Sequence, residues 1–151
     1  MQLVIPMSGL GSRFVEAGYV LPKPCIEVDG FPMISRLMTM FPGISDVHFI
    51  CNSRHLRETR IGEILENVAP GAVIHEVPAC RKLGPVDAVV QIGEYINQFE
   101  PVIVSYCDFG GLWDFHSFKE FVAAESSDGC VVCYTGFHPH ACQRSICVLF
   151  G

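Results

Sequence analysis

Residues 8–13 have the composition of a loop that binds phosphate. They directly follow an apolar run at residues 2–6 and contain two glycines, Gly9 and Gly11. Glycine lets the backbone approach a ligand closely and turn its N–H groups toward anionic oxygens. Because the chain carries a net charge of −6, any phosphate site must come from local backbone donors and a few cations. The segment therefore predicts an anion site, although a glycine-rich loop alone is a weak signal.

Two familiar nucleotide motifs fit this loop poorly. A dinucleotide fingerprint needs a third glycine, where this chain has Phe14, and an acidic residue after the second strand. The second apolar run ends at residues 51–53 without an acid. A P-loop needs a lysine directly after its last glycine, and residues 11–13 do not supply one.

The elements that must position the loop follow from the hydrophobic pattern. Apolar runs that predict buried strands alternate with segments whose apolar residues recur at helical spacing. The strands are predicted at residues 2–6, 47–51, 72–77, 102–106 and 130–134, with a short strand at 26–28. The helices are predicted at residues 32–41, 54–67, 86–96 and around 118–122. This alternation predicts an α/β fold with a mostly parallel sheet, a Rossmann-like α/β/α arrangement of three layers.

In a sheet of this kind, ligands bind beyond the carboxyl ends of the strands. That rule selects three segments of this chain as candidates for one site. They are the glycine loop after the first strand, the loop after the third strand, and Cys107-Asp108 after the fourth strand.

Composition limits the class of protein. A chain of 151 residues suits one domain, here residues 1–151, and half of its residues are hydrophobic while 17% are charged. Such a chain folds around a core, and its acidic balance makes a nucleic-acid partner unexpected. No apolar run is long enough to span a membrane and no signal peptide is recognisable, so the expected location is the cytoplasm. The eight cysteines are scattered singly, which favours buried thiols over disulfides.

Five segments together resemble the signature of the sugar-phosphate nucleotidylyltransferases. The glycine loop ends in Gly-x-Arg, a Pro-Lys-Pro follows around Lys23, and Gly-x-Pro-Met-Ile occupies residues 30–34. Residues 84–89 resemble the family's loop at the start of a helix near the base and sugar. Residues 104–108 resemble its strand that ends in a metal-binding aspartate, here Asp108. The likeness covers roughly residues 2–136, and three ordered elements are more specific than any one.

The resemblance implies a reaction. The phosphate of a sugar 1-phosphate, or of another phosphorylated small alcohol such as phosphocholine, attacks the α-phosphorus of a nucleoside triphosphate, and pyrophosphate leaves. Such an enzyme supplies nucleotide sugars for surface or capsular polysaccharide. The nucleophile is already ionised, so catalysis consists mainly of positioning and neutralisation of charge.

The resemblance also implies a role for each matching residue. Arg13 stabilises the leaving pyrophosphate, Lys23 reaches the α-phosphate or the acceptor phosphate, and Asp108 holds Mg²⁺. The residues implied to bind the nucleotide are Ser8, Gly9, Leu10, Gly11, Ser12, Ala79 and Gly84. Each residue also has a structural alternative: Arg13 and Lys23 as surface cations, Asp108 as a loop cap.

The sequence departs from the family pattern in three places. The loop begins Pro-Met-Ser-Gly where Leu-Ala-x-Gly is usual, and Ala79 stands where a polar residue often reads the base. Family enzymes also continue well past this length, and no residue after Asp128 is acidic, so a second metal carboxylate is lacking. We expect either a truncated or frame-shifted form without the acceptor-binding part, or a short relative that binds nucleotide and catalyses poorly. An exposed apolar C-terminal segment would favour a homo-oligomer.

Other features have less specific interpretations. Asp87 suits the first turn of a helix, where the dipole favours a carboxylate. Trp113 and Phe115 either pack a sugar or anchor their loop. Cysteines and histidines after residue 129 are zinc-ligand types, but their spacing is not that of a zinc finger.

Overall fold

The centre of the fold is a parallel sheet of four strands. The computed structural model of the protein describes residues 1–79, 84–125 and 128–132. Its strands are β1 (Gln2–Pro6), β4 (Val47–Asn52), β5 (Val73–Val77) and β6 (Val102–Val104), and their order across the sheet is β5-β4-β1-β6. All three neighbouring pairs are parallel. Every position of β1 and β4 is buried, and most of these residues are apolar, which suits the two strands in the middle of the sheet; the polar exceptions are Gln2, His48 and Asn52.

Two short strands form a separate hairpin. β2 (Glu27–Val28) pairs antiparallel with β3 (Phe31–Pro32). Asp29 and Gly30 connect them, both with positive φ angles of 51° and 79°. The hairpin leads directly into helix α2 (Met33–Met38), which begins after Pro32.

Helices cover both faces of the sheet. On one face, α5 (Pro85–Gln91) brings Ala88 against Val4, Ile50 and Val77 of three strands. On the other face, Leu3, Ile5 and Phe49 are fully buried. Helices α2 and α4 (Ile61–Val68) also contribute fully buried residues, namely Ile34, Leu37, Ile61 and Leu65. The α/β fold class with a mostly parallel sheet is therefore confirmed.

One predicted helix is two helices in the structure. Residues 54–67 were expected to be continuous, but α3 (Ser53–Glu58) and α4 are separated at Thr59 and Arg60. The backbone of Thr59 is extended, with φ −136° and ψ 170°. Its Oγ1 donates to the carbonyl of His55 (2.7 Å) and accepts from the N–H of Ile61 (3.3 Å). The threonine thus ends one helix and begins the next, a local competition that the apolar spacing does not show.

The other elements agree with expectation in type and differ at their ends. The helix expected at residues 86–96 is α5 followed by a short 3-10 helix at Gly93–Tyr95, and the strand expected at 102–106 stops at Val104. The glycine loop leads into a short helix, α1 (Ser12–Glu16), and a 3-10 helix spans Lys23–Cys25.

The chain divides between Trp113 and Asp114 into two compact units. In the second unit, α6 (Phe115–Ala124) begins at Asp114, whose carboxylate accepts from the N–H groups of His116 (2.9 Å) and Ser117 (3.1 Å). Hydrogen bonds from Ser117 hold the pKa of Asp114 below its ordinary value. Of the strand expected at residues 130–134, residues 130–132 form no strand, and the rest lie outside the described residues. The single domain at residues 1–151 stays a prediction.

Among the residues that the structure describes, no helix has the length and apolar character needed to cross a membrane.

Candidate functional site

The glycine loop lies at the carboxyl end of β1. Gly11 has a left-handed backbone, with φ 64°, which an L side chain adopts only with strain. Its carbonyl accepts hydrogen bonds from Phe14 (2.8 Å) and Val15 (3.2 Å), and these contacts start α1. The N–H groups of Leu10 and Gly11, and those of the next two residues, donate to no acceptor among the described residues. The loop therefore presents backbone donors that an anion can use.

The two predicted cations occupy different settings. Arg13 is exposed on α1, and its guanidinium makes no ion pair with a described residue. Lys23 is half-buried between Pro22 and Pro24, both of which are buried. Pro22 precedes the 3-10 helix that starts at Lys23, so the backbone around the lysine is restricted on both sides.

Lys23 and Asp108 form an ion pair. Nζ of Lys23 lies 2.5 Å from Oδ2 of Asp108 and 5.6 Å from the centre of the Phe14 ring. A Cβ built on Gly11 would lie 3.9 Å from Cβ of Lys23. The structure thus brings the glycine loop, the lysine and the aspartate together, as the carboxyl-end rule predicts for the neighbouring parallel strands β1 and β6.

Ala79 and Gly84 stand on either side of the third candidate segment. Ala79 is half-buried two residues after β5, and Gly84 precedes α5 with φ 93° and ψ −178°, a conformation reserved for glycine. Residues 80–83, which connect them, lie outside the described part. Asp87 is in the first turn of α5, where its carboxylate accepts from Nε2 of Gln91 (2.7 Å). This matches its interpretation as a first-turn residue.

Three thiols are buried around the site. Cys25 follows Lys23 by two residues, Cys107 precedes Asp108, and Cys51 is near the carboxyl end of β4; all are free cysteines. Burial raises the pKa of Cys25 to about 11, that of Cys51 to about 12 and that of Cys107 to about 11. Such thiols stay protonated and act as small apolar residues. The prediction of buried thiols is confirmed for these three, whereas Cys130 is exposed. The other four cysteines, and the proposed zinc-ligand types among residues 133–151, lie outside the described residues.

A shallow pocket of about 540 Å³ lies beside the site, next to the loop that follows Asp108. Phe31 of the hairpin, Arg36 of α2, and Gly110 and Gly111 are among its lining residues. Trp113 ends this loop, and its indole N–H donates to the carbonyl of Met40 (2.8 Å). The structure therefore supports the loop-anchoring interpretation of Trp113.

Sequence reasoning missed the role of Asn52. This residue is 1% exposed at the end of β4, and its Nδ2 donates to the carbonyl of Ser8 in the glycine loop (3.1 Å). Its Oδ1 accepts from the N–H of Arg54 (2.8 Å). An asparagine before a helical pattern signals a helix cap, and the second contact has no signature in the sequence.

Solved structures supply a relationship that sequence searches do not. No protein-family model matches the chain, and no curated protein matches it. A putative glucose-1-phosphate thymidylyltransferase from Bacillus anthracis, solved with sucrose, superposes on 84% of this chain with a TM-score of 0.66 and 18% identity. HddC from Yersinia pseudotuberculosis, solved with GMP-PN, covers 84% with a TM-score of 0.63 and 22% identity. A nucleoside-diphosphate-sugar pyrophosphorylase from Vibrio cholerae RC9 covers 78% with a TM-score of 0.55 and 19% identity.

The chain has the fold of the sugar-phosphate nucleotidyltransferases. The resemblance stated from the motifs is thereby confirmed at the level of the fold. The chain spans about half the length of these solved structures, namely 52%, 55% and 53% of them in the order given. Within this nucleotidyltransferase fold, the described residues place backbone donors, a restrained ammonium group and a carboxylate at one edge of the sheet. That combination suits a phosphate ligand together with a divalent cation.

Proposed function

We propose that this chain is the nucleotide-binding part of an enzyme that transfers a nucleotidyl group from a nucleoside triphosphate to a sugar 1-phosphate. The observation that carries the proposal is the meeting of Lys23 and Asp108, 2.5 Å apart, beside Gly11. These residues come from three separate motifs of the chain. Two buried prolines restrict the backbone on both sides of Lys23, a restraint that an ordinary surface lysine does not require.

The chemistry asks little of the protein beyond placement. An oxygen of the acceptor phosphate forms a bond to the α-phosphorus, and the bond from that phosphorus to the pyrophosphate oxygen breaks. Because the acceptor is already anionic, no general base takes part, and the charge that accumulates must be neutralised. The donors for the triphosphate are the N–H groups of Leu10, Gly11 and Ser12, with Ser8 and Gly9 forming the approach.

Arg13 and Lys23 neutralise the negative charge of different phosphate groups. Arg13, exposed and without an ion pair to a described residue, binds the departing pyrophosphate through its planar fork. Lys23 binds the α-phosphate or the acceptor phosphate, and it exchanges the carboxylate of Asp108 for phosphate oxygens when they arrive. The backbone near Ala79 and Gly84 contacts the base.

Mg²⁺ fits the carboxylate of Asp108. This side chain is 42% exposed at the site, and Mg²⁺ is commonly held by one or two carboxylates together with substrate phosphates. Among the described residues no group of three metal-ligand side chains exists, which is compatible with a cation that the triphosphate helps to hold. The ion would neutralise phosphate charge as a Lewis acid.

We extend the proposal to the setting of the reaction. The acceptor is a phosphorylated sugar or small alcohol, the product supplies surface polysaccharide, and the reaction takes place in the cytoplasm, where free thiols such as Cys25 persist. Neither nucleic acid nor a membrane is required, and the protein self-associates.

The experiment is a triphosphate-binding titration with Arg13→Ala and Lys23→Ala. We expect wild-type protein to bind a nucleoside triphosphate with Mg²⁺ and each variant to bind it at least about tenfold more weakly, the effect of about 1.4 kcal/mol. Arg60→Ala is the matched control, because Arg60 is an exposed cation paired with Glu63. Unchanged affinity in both site variants would exclude the assignment.

Turnover is measured separately, as pyrophosphate release with a panel of sugar 1-phosphates and phosphocholine. Release with one acceptor identifies the substrate class. Binding without release from any of them would instead support a domain that binds nucleotide and does not catalyse.

A further inference from the structure

The buried amide of Asn52 makes two hydrogen bonds that point in different directions. Oδ1 caps α3 by accepting from the N–H of Arg54 (2.8 Å), and Nδ2 donates to the carbonyl of Ser8 (3.1 Å). The two partners also determine which amide atom is which. Exchanging them would set a nitrogen against an N–H group and an oxygen against a carbonyl.

Helix capping alone accounts for only one of these contacts. Serine, threonine and aspartate cap helices about as well as asparagine does. Ionised aspartate has no donor, and serine and threonine carry their donor and acceptor on a single oxygen, so none of them can place a separate donor group beside the capping oxygen as asparagine does. An asparagine that is 1% exposed must satisfy its NH₂ group as well, and Ser8 provides the acceptor.

The hydrogen bond from Asn52 to the carbonyl of Ser8 is the last restraint on the loop before residues 10–12, whose N–H groups are the backbone donors. The β1–β4 ladder ends with Pro6 beside Ile50, and the N–H of Met7 then donates to the carbonyl of Ile50 (3.0 Å). Asn52 continues this pairing with a side chain in place of the strand backbone. Beyond Ser8, a Cβ built on Gly9 would meet nothing within 4 Å. No neighbouring atom therefore restrains this side of Gly9.

We propose that Asn52 is a positioning residue that holds the Ser8 carbonyl and thereby directs the N–H groups of residues 10–12 toward the triphosphate. The inference rests on the proposed function for its ligand. The effect of Asn52 on the loop is inferred from the geometry alone. Asn52 acts through the loop backbone and contacts no substrate.

Two variants separate the loop contact from the helix cap. Asn52→Ser keeps a good capping oxygen and removes the amide donor, whereas Asn52→Ala removes both. Ser53→Ala is the control: Ser53 is the buried neighbour, its Oγ accepts from Nη2 of Arg57 (3.3 Å), and among the described residues its side chain makes no hydrogen bond to the loop. Full-length protein is used throughout.

The first readout needs no ligand. In nuclear magnetic resonance relaxation of the free protein, we expect the backbone order parameters of Gly9 and Leu10 to fall in both Asn52 variants and to remain unchanged in Ser53→Ala. The second readout is the Kd for a nucleoside triphosphate with Mg²⁺. We expect it to rise by about fivefold to tenfold in both Asn52 variants, the size of one lost hydrogen bond. Both variants should lower the melting temperature, and Asn52→Ala should lower it further than Asn52→Ser because it also loses the cap.

The outcomes separate the two proposals. If wild-type protein does not bind the triphosphate, the proposed function fails, while the relaxation data still test the role of Asn52. If wild-type protein binds and Asn52→Ser keeps both its loop order and its Kd, the positioning role is overturned. A rise in Kd without any change in loop order would also overturn it, because the effect would then not pass through Ser8.

Discussion

Lys23 and Asp108, which are far apart in the sequence, meet with Nζ 2.5 Å from Oδ2 at the carboxyl edge of the sheet. Their side chains are 28% and 42% exposed, so water and salt reach the pair. It follows that the pair contributes little to the stability of the fold. Its importance under the proposed function is that it brings a cation and a metal-binding group to one place.

Replacement of the lysine should separate binding from stability. Lys23→Met keeps most of the aliphatic stem beside Phe14 and removes the charge. We expect the free energy of unfolding to change by no more than about 1 kcal/mol, as for exposed ion pairs, while triphosphate affinity falls. Urea denaturation and a binding titration on the same preparation check this. A large loss of stability would instead indicate a structural role for Lys23.

Neutralising the aspartate should remove the response to divalent cations. In Asp108→Asn a neutral amide oxygen replaces a charged carboxylate, which makes it a weaker ligand for a hard cation. Loss even of an outer-shell partner costs about 10- to 100-fold in metal affinity, so we expect Mg²⁺ to stimulate triphosphate binding at least about tenfold less. Calorimetry with and without Mg²⁺ measures this. Glu58→Gln, an exposed carboxylate on α3 paired with Arg54, should leave the Mg²⁺ effect unchanged.

The two loop glycines should differ in their tolerance of alanine. Gly11 has φ 64°, so Gly11→Ala places a Cβ in the left-handed region and should cost about 1–2 kcal/mol of stability. Gly9 has no positive φ, and its added Cβ would meet nothing within 4 Å. Gly9→Ala should therefore be nearly neutral. Thermal or chemical denaturation compares the two, and equal costs would contradict the described loop conformation.

Stability should decrease in mild acid because of His75. Burial, and then the neighbouring His48, hold the pKa of His75 below its ordinary value of 6.5. Nε2 of His75 lies 2.9 Å from Nδ1 of His48. As pH falls below about 6.5 the unfolded chain takes up a proton that the folded chain resists, so the free energy of unfolding decreases. The stability that depends on neutral His75 is fully present above pH 6.5 and is lost as the pH falls below it.

Denaturation midpoints between pH 8 and pH 5 measure this slope. His75→Gln should have a shallower decline than wild type, whereas His116→Gln, an exposed histidine on α6, should follow wild type. Some decline should persist in the His75 variant, because burial also lowers the pKa of His55. Identical slopes for His75→Gln and wild type would show that His75 does not titrate as described.

The cysteines should react with an alkylating agent in the order of their exposure. Cys130 is exposed, whereas burial raises the pKa values of Cys25, Cys51 and Cys107 and leaves little thiolate to react. In a time course with iodoacetamide at pH 8, peptide mapping should find Cys130 modified before the three buried cysteines of the described residues. The three buried thiols should be modified only as denaturant is added. Early modification of Cys107 would mean that the region around Asp108 opens in solution.

The sequence alone determined the class of fold, and it predicted the edge of the sheet where the candidate site lies. Continuous apolar runs can be satisfied only by strands covered on both faces, and the alternation with helical patterns requires parallel strands. In such a sheet the loops after β1 and β6 emerge at the same edge, so Gly11 and Asp108 could be placed together in advance. Lys23 was selected by its prolines and its motif, not by its distance to either residue.

Tertiary structure alone decided the contacts that depend on strand register, whereas the break between α3 and α4 is local and escapes an interpretation based on apolar spacing. The break at Thr59 arises because one hydroxyl satisfies both a helix end and a helix start. The contact from Asn52 to Ser8 exists because β1 and β4 pair in one particular register. A sequence pattern records which face a residue occupies, but not which atom of a distant segment lies within 3 Å of its side chain. That distance is a consequence of packing the whole sheet.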